Sequence, residues 1–373
     1  MADGPVITAI GAISGTSMDG IDVALIRTDG AACVETGAGA SYPYEDGLRE
    51  ELRQVIATPE VAEHAALDAL EAQVTCAHAQ AINRFIDEHG LARASVAVLG
   101  LHGQTVFHRP ERRVTRQLGL GALTAELTGI TTVNRFRHAD VAAGGEGAPL
   151  VPLYHRALAS GLAQPLMVLN LGGVANVTYL DGDTVIAFDT GPASALLDDF
   201  VRQRTGAPFD ADGRLSGAGR IDRQILASLM SNPFFARPAP KSLDRQDFHE
   251  RAGMVEILSD ADGAATLAAF TVEATARALD HVPKRPLRWL VAGGGRLNRT
   301  FMRLFAARLG VPVEPVERVG WDGDFLEAQC FGYLAVRSLR ALPLSLPTTT
   351  GVPAPQTGGE IWPAPAGTAR DSN

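Results

Sequence analysis

The sequence predicts an α/β protein built from two domains. Residues 6–30 and residues 167–180 share one layout, in which an apolar strand enters a glycine-containing turn and a second strand follows. Between them, apolar residues recur every three or four positions from Pro59 to Gly90, which is typical of a helix. Alternation of strands and helices favours layers of helix on sheet. The repeated layout predicts that both domains use the same architecture.

The elements of the first domain follow in order. After the strand at 6–13 comes the polar loop SGTSMDG, and the segment IDVALIRTDG is expected to form a second strand. The apolar run from Val96 to Val106 predicts a buried strand that breaks into a polar loop. One face of the predicted helix is formed by Leu67, Leu70, Val74, Ala77, Ala81 and Phe85.

The domain boundary is expected at the glycine-rich stretch between Ala142 and Pro152. We therefore predict an N-terminal lobe at 1–140, a C-terminal lobe at 141–346 and a tail at 347–373. The tail is rich in Pro, Thr and Gly, and its lack of apolar periodicity predicts no element of its own.

Composition excludes several classes of protein. The 373 residues carry 33 basic and 42 acidic side chains, a net charge of −9, so no broad positive field exists to bind nucleic acid. Three scattered cysteines are too few for a disulfide framework. No signal peptide and no long apolar run is present, so we expect a cytoplasmic protein without a membrane partner.

Three glycine turns follow predicted strands, at 15–20, 172–173 and 293–295. Backbone N–H groups of such turns can surround an anion. Each turn alone is more often a simple chain reversal. Three together, with hydroxyls and a carboxylate in the first, favour a nucleotide phosphate chain and its metal. No GxxxxGK[ST] segment is present, so this is not a P-loop.

Asp189 follows an apolar strand and precedes a glycine-proline turn. A carboxylate at such a strand end is well placed for a general base. Capping of a helix that starts near Ala193 is an equally good explanation. The residues alone leave both interpretations open.

The histidines His102 and His108 do not predict a metal site, because six residues of strand separate them by about 20 Å. No GxSxG segment is present, and no cysteine has the context of a nucleophile. The sequence therefore offers no candidate for covalent catalysis.

The chain resembles the anhydro-N-acetylmuramic acid kinases over residues 7–357. The matching segments occur in order and are SGTSMDGIDVAL, LHGQTVFHRP, GGEGAPLVP, LNLGGVANVT, FDTGP, PAPKS, AGGGRLN and GDFLEA. The resemblance implies the two-lobed actin-like ATPase fold, with duplicated ribonuclease-H-like domains and ATP in an interlobe cleft. It also implies a small-molecule anhydrosugar substrate and leaves a homodimer open as the assembly.

The resemblance implies roles for residues that match the family motifs. Asp189 is the implied catalytic base. Sugar contacts are implied for Thr105, Arg137 and Glu327. ATP contacts are implied for Gly15, Thr16, Ser17, Met18, Asp19, Gly20, Ile21, Asp22, Gly172, Gly173, Gly293, Gly294 and Gly295.

The implied reaction uses ATP with Mg²⁺, for which Asp19 is the candidate ligand. ATP phosphorylates O6 of the sugar while water opens the 1,6-anhydro bridge, and catalysis rests on positioning and charge neutralisation. The product is N-acetylmuramic acid 6-phosphate, a step of peptidoglycan recycling.

Four positions depart from the family pattern: Leu120 and Arg135, where aspartate is expected, Glu146, where glutamine is expected, and Ser194, where asparagine is expected. Arginine in place of aspartate reverses a charge, for which Glu146 is a candidate partner. The departures keep two alternatives open. One is a related anhydrosugar kinase, such as one for levoglucosan, and the other is a catalytically silent nucleotide-binding regulator.

Overall fold

The computed structural model describes residues 4–15, 18, 20–243 and 248–365. The chain forms two compact units. The first unit contains the residues up to 161 and those from 325 onward, and the second unit contains residues 162–324. Each unit has its own β-sheet, so the α/β prediction is confirmed.

The strands are numbered along the chain. They are β1 (Ile7–Ser14), β2 (Ile21–Thr28), β3 (Val34–Tyr42), β4 (Val98–Arg109), β5 (Val114–Leu118), β6 (Thr132–Asn134), β7 (Leu166–Leu171), β8 (Val174–Asp181), β9 (Thr184–Pro192), β10 (Trp289–Ala292), β11 (Val313–Pro315) and β12 (Glu360–Trp362).

The helices are α1 (Asp46–Ala57), α2 (Pro59–His64), α3 (Asp68–Glu88), α4 (Gly121–Thr128), α5 (His138–Ala142), α6 (Pro152–Leu158), α7 (Ser194–Thr205), α8 (Arg214–Ala218), α9 (Arg223–Met230), α10 (His249–Ala252), α11 (Asp260–Ala276), α12 (Arg299–Leu309), α13 (Leu326–Leu339) and α14 (Pro347–Thr350). The helix expected from Pro59 to Gly90 is interrupted at residues 65–67 and forms α2 and α3.

The two sheets share a five-strand core, to which the first sheet adds β5 beside β4 and β12 beside β6. In the first, the order β3-β2-β1-β4-β6 begins with an antiparallel meander, after which β1, β4 and β6 run parallel. In the second, the order β9-β8-β7-β10-β11 has the same sequence of strand directions. An antiparallel meander continued by parallel strands is the ribonuclease-H-like order, so the predicted duplication is confirmed.

The helix α13 explains why the first unit resumes at residue 325. It packs on β1, β2 and β4, and nearly all of its side chains are buried. Two glycines of the sheet allow this approach: a Cβ at Gly11 would lie 1.8 Å from the carbonyl oxygen of Ala328, and one at Gly100 would lie 2.0 Å from that of Phe331. A helix whose side chains are buried on nearly all sides must be covered on those sides.

The unit boundaries differ from the predicted lobes 1–140 and 141–346. The chain enters the second unit at 162, and it leaves that unit at 325 because α13 buries its surface in the first. The segment 347–373 also differs from the prediction. It contains α14, and β12 pairs with β6 while the indole Nε1 of Trp362 donates to Oδ1 of Asn134 at 3.0 Å. A three-residue strand is too short to show an alternating apolar pattern, so the sequence does not predict its pairing with a distant strand.

One face of the second sheet forms the core of its unit. Met167, Leu169, Val177 and Phe188 project from β7, β8 and β9 into a cluster with side chains of α7, α11 and α12. Alternate residues of the same strands therefore project from the opposite face. Within the described residues, no helix is long and apolar enough to cross a membrane.

Candidate active site

The second glycine turn links β7 to β8 and lies against the start of α7. The carbonyl of Gly173 accepts from the N–H of Ala193 at 3.0 Å, and the carbonyl of Gly172 accepts from the N–H of Ser194 at 3.0 Å. The hydroxyl of Ser194 also donates to the Gly172 carbonyl at 2.7 Å. The turn is therefore fixed by α7, and these first-turn N–H groups of α7 are already paired.

Neither the backbone conformation of this turn nor the packing around it requires glycine at these two positions. Gly172 and Gly173 do not have positive φ angles. A Cβ would lie no closer than 3.7 Å to another atom at Gly172 and 3.5 Å at Gly173, which are ordinary contacts. The absence of side chains leaves room for a ligand to approach the backbone, which is the use of glycine expected in a phosphate-binding turn.

The third glycine turn lies beside the second, because β10 pairs with β7 and both turns follow these strands. A Cβ at Gly293 would lie 2.5 Å from Oδ1 of Asn170, and φ there is +75°. A Cβ at Gly295 would lie 2.6 Å from Cβ of Leu171. A Cβ added at Gly294 would have no other protein atom within 4 Å. Packing thus explains Gly293 and Gly295, whereas Gly294 is open to a ligand.

Asp189 lies in β9 next to a β-bulge. Its cross-strand partner is Asn176, and the pairing then shifts so that Gly191 faces Ala175. The backbone N–H of Leu243 donates to Oδ2 of Asp189 at 2.9 Å, and the N–H of Asp189 donates to the carbonyl of Lys241 at 2.9 Å. Bulges commonly redirect side chains next to active sites.

The capping interpretation of Asp189 is wrong. The helix α7 begins at Ser194 with Ala193 at its N-cap position, and no side chain caps it. The physical reason is that carbonyls of the Gly172–Gly173 turn satisfy these N–H groups instead. Asp189 is therefore held by the segment 241–243.

Lys241, the first residue of this segment, has a buried side chain. Its ammonium donates to the carbonyls of Phe234 at 3.2 Å and Arg237 at 3.1 Å, and it lies 4.7 Å from the ring centroid of Phe234. Burial, together with the charge of Arg237, lowers the pKa of Lys241 to about 8. Sequence reasoning assigned it no role, although the PAPKS motif contains it.

The first unit holds all three predicted sugar contacts, Thr105 on β4, Arg137 before α5 and Glu327 on α13. The guanidinium of Arg137 donates through Nε to Nε2 of His102 at 3.0 Å and through Nη1 to the carbonyl of Gly147 at 2.7 Å. Arg137 thus joins β4 to the glycine-rich loop at 144–147.

His102 orients Arg137 as a neutral imidazole. Its Nδ1 is 3.0 Å from the carbonyl of Gly103, so Nδ1 carries the proton and Nε2 accepts from Arg137. Burial, and then the charge of Arg137, holds the pKa of His102 well below its usual value. No sequence pattern indicates this role, and the structure places His102 within β4.

Arg137 and Glu327 both lie near the buried thiol of Cys330. Burial and the Glu327 carboxylate raise the pKa of this thiol, and Arg137 acts in the opposite direction. The structure therefore places Arg137 and Glu327, two of the predicted sugar contacts, near the same thiol. Thr105 lies beside Gln104, whose Nε2 donates to the carbonyl of Thr105 at 3.2 Å.

The first predicted phosphate loop is described only in part. Thr16, Ser17 and Asp19, including the candidate magnesium ligand, lie outside the described residues. Gly15 accepts from the N–H of Met18 at 3.1 Å in a turn. Ile21 and Asp22 begin β2, and Asp22 accepts from the hydroxyl of Ser41. A Cβ at Gly20 would lie 2.7 Å from the carbonyl oxygen of Tyr42.

A glutamate of the C-terminal strand neutralises the charge reversal at Arg135. Nη1 of Arg135 is 3.1 Å from Oε1 of Glu360 in β12, so the predicted pairing with Glu146 is wrong. Pairing of β12 with β6 brings Glu360 opposite Asn134, adjacent to Arg135. Nothing in the structure explains the substitution at Leu120, which precedes α4.

Among the described residues, no group of three or more His, Cys, Asp or Glu side chains lies close enough to hold an ion. Magnesium in phosphoryl-transfer sites commonly uses one or two carboxylates together with substrate phosphates.

A family model described as anhydro-N-acetylmuramic acid kinase matches residues 7–364. A relative with this name from Rhodospirillum rubrum is 53% identical over 360 residues, covering 96% of this chain and 95% of the relative. One from Acidiphilium cryptum is 54% identical over 364 residues, covering 96% and 99%.

Solved structures are much more distant. The component A of (R)-2-hydroxyglutaryl-CoA dehydratase from Acidaminococcus fermentans is 11% identical, with a TM-score of 0.49, over 90% of this chain and 99% of that chain. This similarity supports no statement about function.

Proposed function

Because the chain belongs to the anhydro-N-acetylmuramic acid kinase family, we propose that Asp189 is the catalytic base of an ATP-dependent kinase acting on 1,6-anhydro-N-acetylmuramic acid. The observation that carries the residue assignment is the position of Asp189. Its carboxylate lies at a β-bulge on the sheet that bears two glycine turns, and a backbone N–H holds it. A carboxylate in this position suits a general base.

The reaction has a simple balance of atoms. Water attacks C1 of the sugar, and Asp189 takes one proton from it. The bond between C1 and O6 breaks, and O6 attacks the γ-phosphorus of ATP, whose bond to the β,γ-bridging oxygen breaks as ADP leaves. The products are N-acetylmuramic acid 6-phosphate and ADP, as expected for a step of peptidoglycan recycling. General-base catalysis of this kind contributes about 10²- to 10⁴-fold to the rate.

ATP binding is assigned to the glycine turns. Gly172, Gly173 and Gly294 are the strongest candidates, because a Cβ at each would meet no close atom of the protein. Gly293 and Gly295 shape the turn beside them. The assignment also includes the first loop, Gly15 to Asp22, whose hydroxyls at Thr16 and Ser17 suit phosphate oxygens.

Mg²⁺ is proposed to enter with ATP. When bound, it would neutralise charge on the phosphates. Asp19 is the proposed protein ligand, and oxygen donors are what this ion prefers. Protein side chains alone would then not need to supply all the ligands of the ion.

The sugar is assigned to Thr105, Arg137 and Glu327. Anhydro-N-acetylmuramic acid carries a lactyl carboxylate, and a guanidinium oriented by His102 suits a carboxylate. The proposal places the reaction in the cytoplasm and leaves the assembly open between a monomer and a homodimer.

The two alternatives are not favoured. Relatives more than 50% identical over nearly the whole chain bear the name anhydro-N-acetylmuramic acid kinase. A kinase for the neutral sugar levoglucosan would not need a guanidinium that recognises a carboxylate. A silent regulator would have no use for a carboxylate held at the bulge.

The test is ADP release by the full chain with ATP, Mg²⁺ and a panel of anhydrosugars, with the product identified by NMR. We expect turnover of 1,6-anhydro-N-acetylmuramic acid, inversion at C1 relative to the bridge and phosphate on O6. Levoglucosan should be a poor substrate. Faster turnover of levoglucosan would favour the first alternative, and ATP binding without turnover of any sugar would favour the second.

A further inference from the structure

Three polar residues form a row across the second sheet. Asn170 of β7 is the cross-strand partner of Asn176 of β8, and Asn176 is the partner of Asp189 of β9. Direct partners in antiparallel strands have Cβ atoms about 4.5–5.5 Å apart and project from the same face. The side chain of Asn176 therefore lies between those of Asn170 and Asp189.

The row lies on the face opposite the core. The neighbouring positions Val177 and Phe188 are partners of each other and point into the apolar cluster, so the positions next to them point away from it. Asn170, Asn176 and Asp189 are all partly exposed, whereas the residues flanking Asn176, Ala175 and Val177, are fully buried. A polar row open to solvent thus ends beside the glycine turns.

Within the described part of the chain, the side-chain amide of Asn176 makes no hydrogen bond, although Asp189 is held by Leu243. An amide that has no such bond and faces the proposed base is available to a ligand or to water. This is the observation that distinguishes Asn176 from an ordinary strand residue.

The geometry points to Asn176 as a second acceptor for the water that Asp189 activates, an inference that rests on the proposed function. Water held between two acceptors donates one O–H to the carboxylate of Asp189 and the other to Oδ1 of Asn176. Its lone pairs are then directed away from both groups, toward the anomeric carbon. Asn176 is thus a water-positioning residue, and the carboxamide specifies the direction of attack.

The proton balance is unchanged by this role. Asp189 receives the proton that water loses as its oxygen bonds to C1, and the other O–H stays on the product as the anomeric hydroxyl. Asn176 accepts a hydrogen bond throughout and exchanges no proton. Its contribution is orientation, so its loss should lower kcat and leave the KM values for both substrates nearly unchanged.

The experiment compares Asn176→Ala with Thr178→Val in the full chain. Thr178 lies on the same strand and the same face, one row away from the base, and valine preserves its shape. We expect Asn176→Ala to lower kcat about 10²-fold, with KM values within about threefold of wild type, a shift worth only ~0.6 kcal/mol. Thr178→Val should keep a kcat near that of wild type, and thermal unfolding checks that both variants fold.

A third variant separates positioning from packing. Asn176→Asp keeps an acceptor oxygen, so it should recover part of the kcat lost in Asn176→Ala. Its carboxylate next to Asp189 should also move the acid limb of the kcat profile to higher pH, because neighbouring carboxylates resist ionising together. A role confined to packing predicts neither result.

The outcomes are distinguishable from failure of the proposed function. If wild type does not turn over the sugar, the proposed function fails. If wild type is active and Asp189→Asn is inactive, but Asn176→Ala keeps its kcat, only the role of Asn176 is overturned. A higher KM for the sugar at unchanged kcat in Asn176→Ala would also overturn it, because Asn176 would then bind the sugar.

Discussion

The backbone N–H of Leu243 donates to Oδ2 of Asp189 at 2.9 Å, which fixes the carboxylate from outside its own strand. The reciprocal bond, from the N–H of Asp189 to the carbonyl of Lys241, makes the segment 241–243 a short partner of β9. A hydrogen bond to a charged group is worth about 1.5–3 kcal/mol. This backbone donor therefore contributes to the orientation of the proposed base.

Leu243→Pro removes this donor, and we expect kcat to fall about 10-fold or more, since a loss of 1.4 kcal/mol corresponds to tenfold. Leu243→Ala keeps the N–H and is the matched control, with kcat near wild type. Equal losses in the two variants would show that the leucine side chain matters and the donor does not. Kinetics and thermal unfolding of both proteins provide the measurement.

Asp189→Asn tests the base itself. Asparagine has nearly the same shape and still accepts from Leu243, so the fold and the binding of both substrates should be preserved. Loss of basicity should lower kcat about 10²- to 10⁴-fold. Rapid-quench kinetics and calorimetry with ATP measure the two effects, and turnover near wild type would remove the base assignment.

The glycine turns predict opposite outcomes for two alanine variants. Gly173→Ala should unfold at the wild-type temperature, because its Cβ would lie 3.5 Å from the nearest atom, yet it should weaken ATP binding about tenfold, or ~1.4 kcal/mol, by intruding on the phosphates. Gly293→Ala should be destabilised by about 1–3 kcal/mol, since its φ is +75°.

Calorimetry and thermal unfolding of these two variants separate ligand contact from fold. Unchanged ATP affinity in a folded Gly173→Ala protein would contradict the assignment of this turn to phosphate. A fully stable Gly293→Ala protein would contradict the packing argument for the third turn.

The ion pair between Arg135 and Glu360 predicts a charge swap. Arg135→Glu and Glu360→Arg should each place like charges together and lower the free energy of unfolding by about 0.5–1 kcal/mol, as expected for an exposed pair. The double variant should recover most of that loss. Additive losses in urea denaturation would show that the two side chains do not interact.

Some of this organisation is visible in the sequence because it is local. The strands on either side of Gly172 and Gly173 are mostly apolar, and their turn lies between them, so the sequence pattern locates all three. The pairing of Asn176 with Asp189 is not visible, because register across a sheet depends on a bulge at Thr190 that has no sequence signal.

Long-range packing explains the remaining differences. Glu327 joins Thr105 and Arg137 in the first unit only because α13 covers β1 and β4, and a helical pattern does not say which sheet it will cover. Likewise, the polar segment around Glu360 becomes a strand only through pairing with β6. The resemblance to a family identified these site residues where periodicity did not.

The last prediction concerns acid stability and His78 of α3. This histidine is fully buried, its Nδ1 is 2.9 Å from the carbonyl of Val74, and its Nε2 has no partner among the described residues. Burial lowers the pKa of His78 to about 4, from 6.5 for an exposed histidine. Between these two values the unfolded chain binds a proton that the folded chain does not.

The free energy of unfolding must therefore fall as the pH falls from 6.5 toward 4, by up to about 1.4 kcal/mol per pH unit from this group. His78→Leu should remove that part of the slope, whereas the exposed His64→Leu should leave it intact. Urea denaturation at several pH values between 7 and 5 measures the slopes, on a scale of about 1 kcal/mol that such curves resolve. Parallel curves for His78→Leu and wild type would show that His78 takes up its proton equally in the folded and unfolded chain, and the burial argument would then fail.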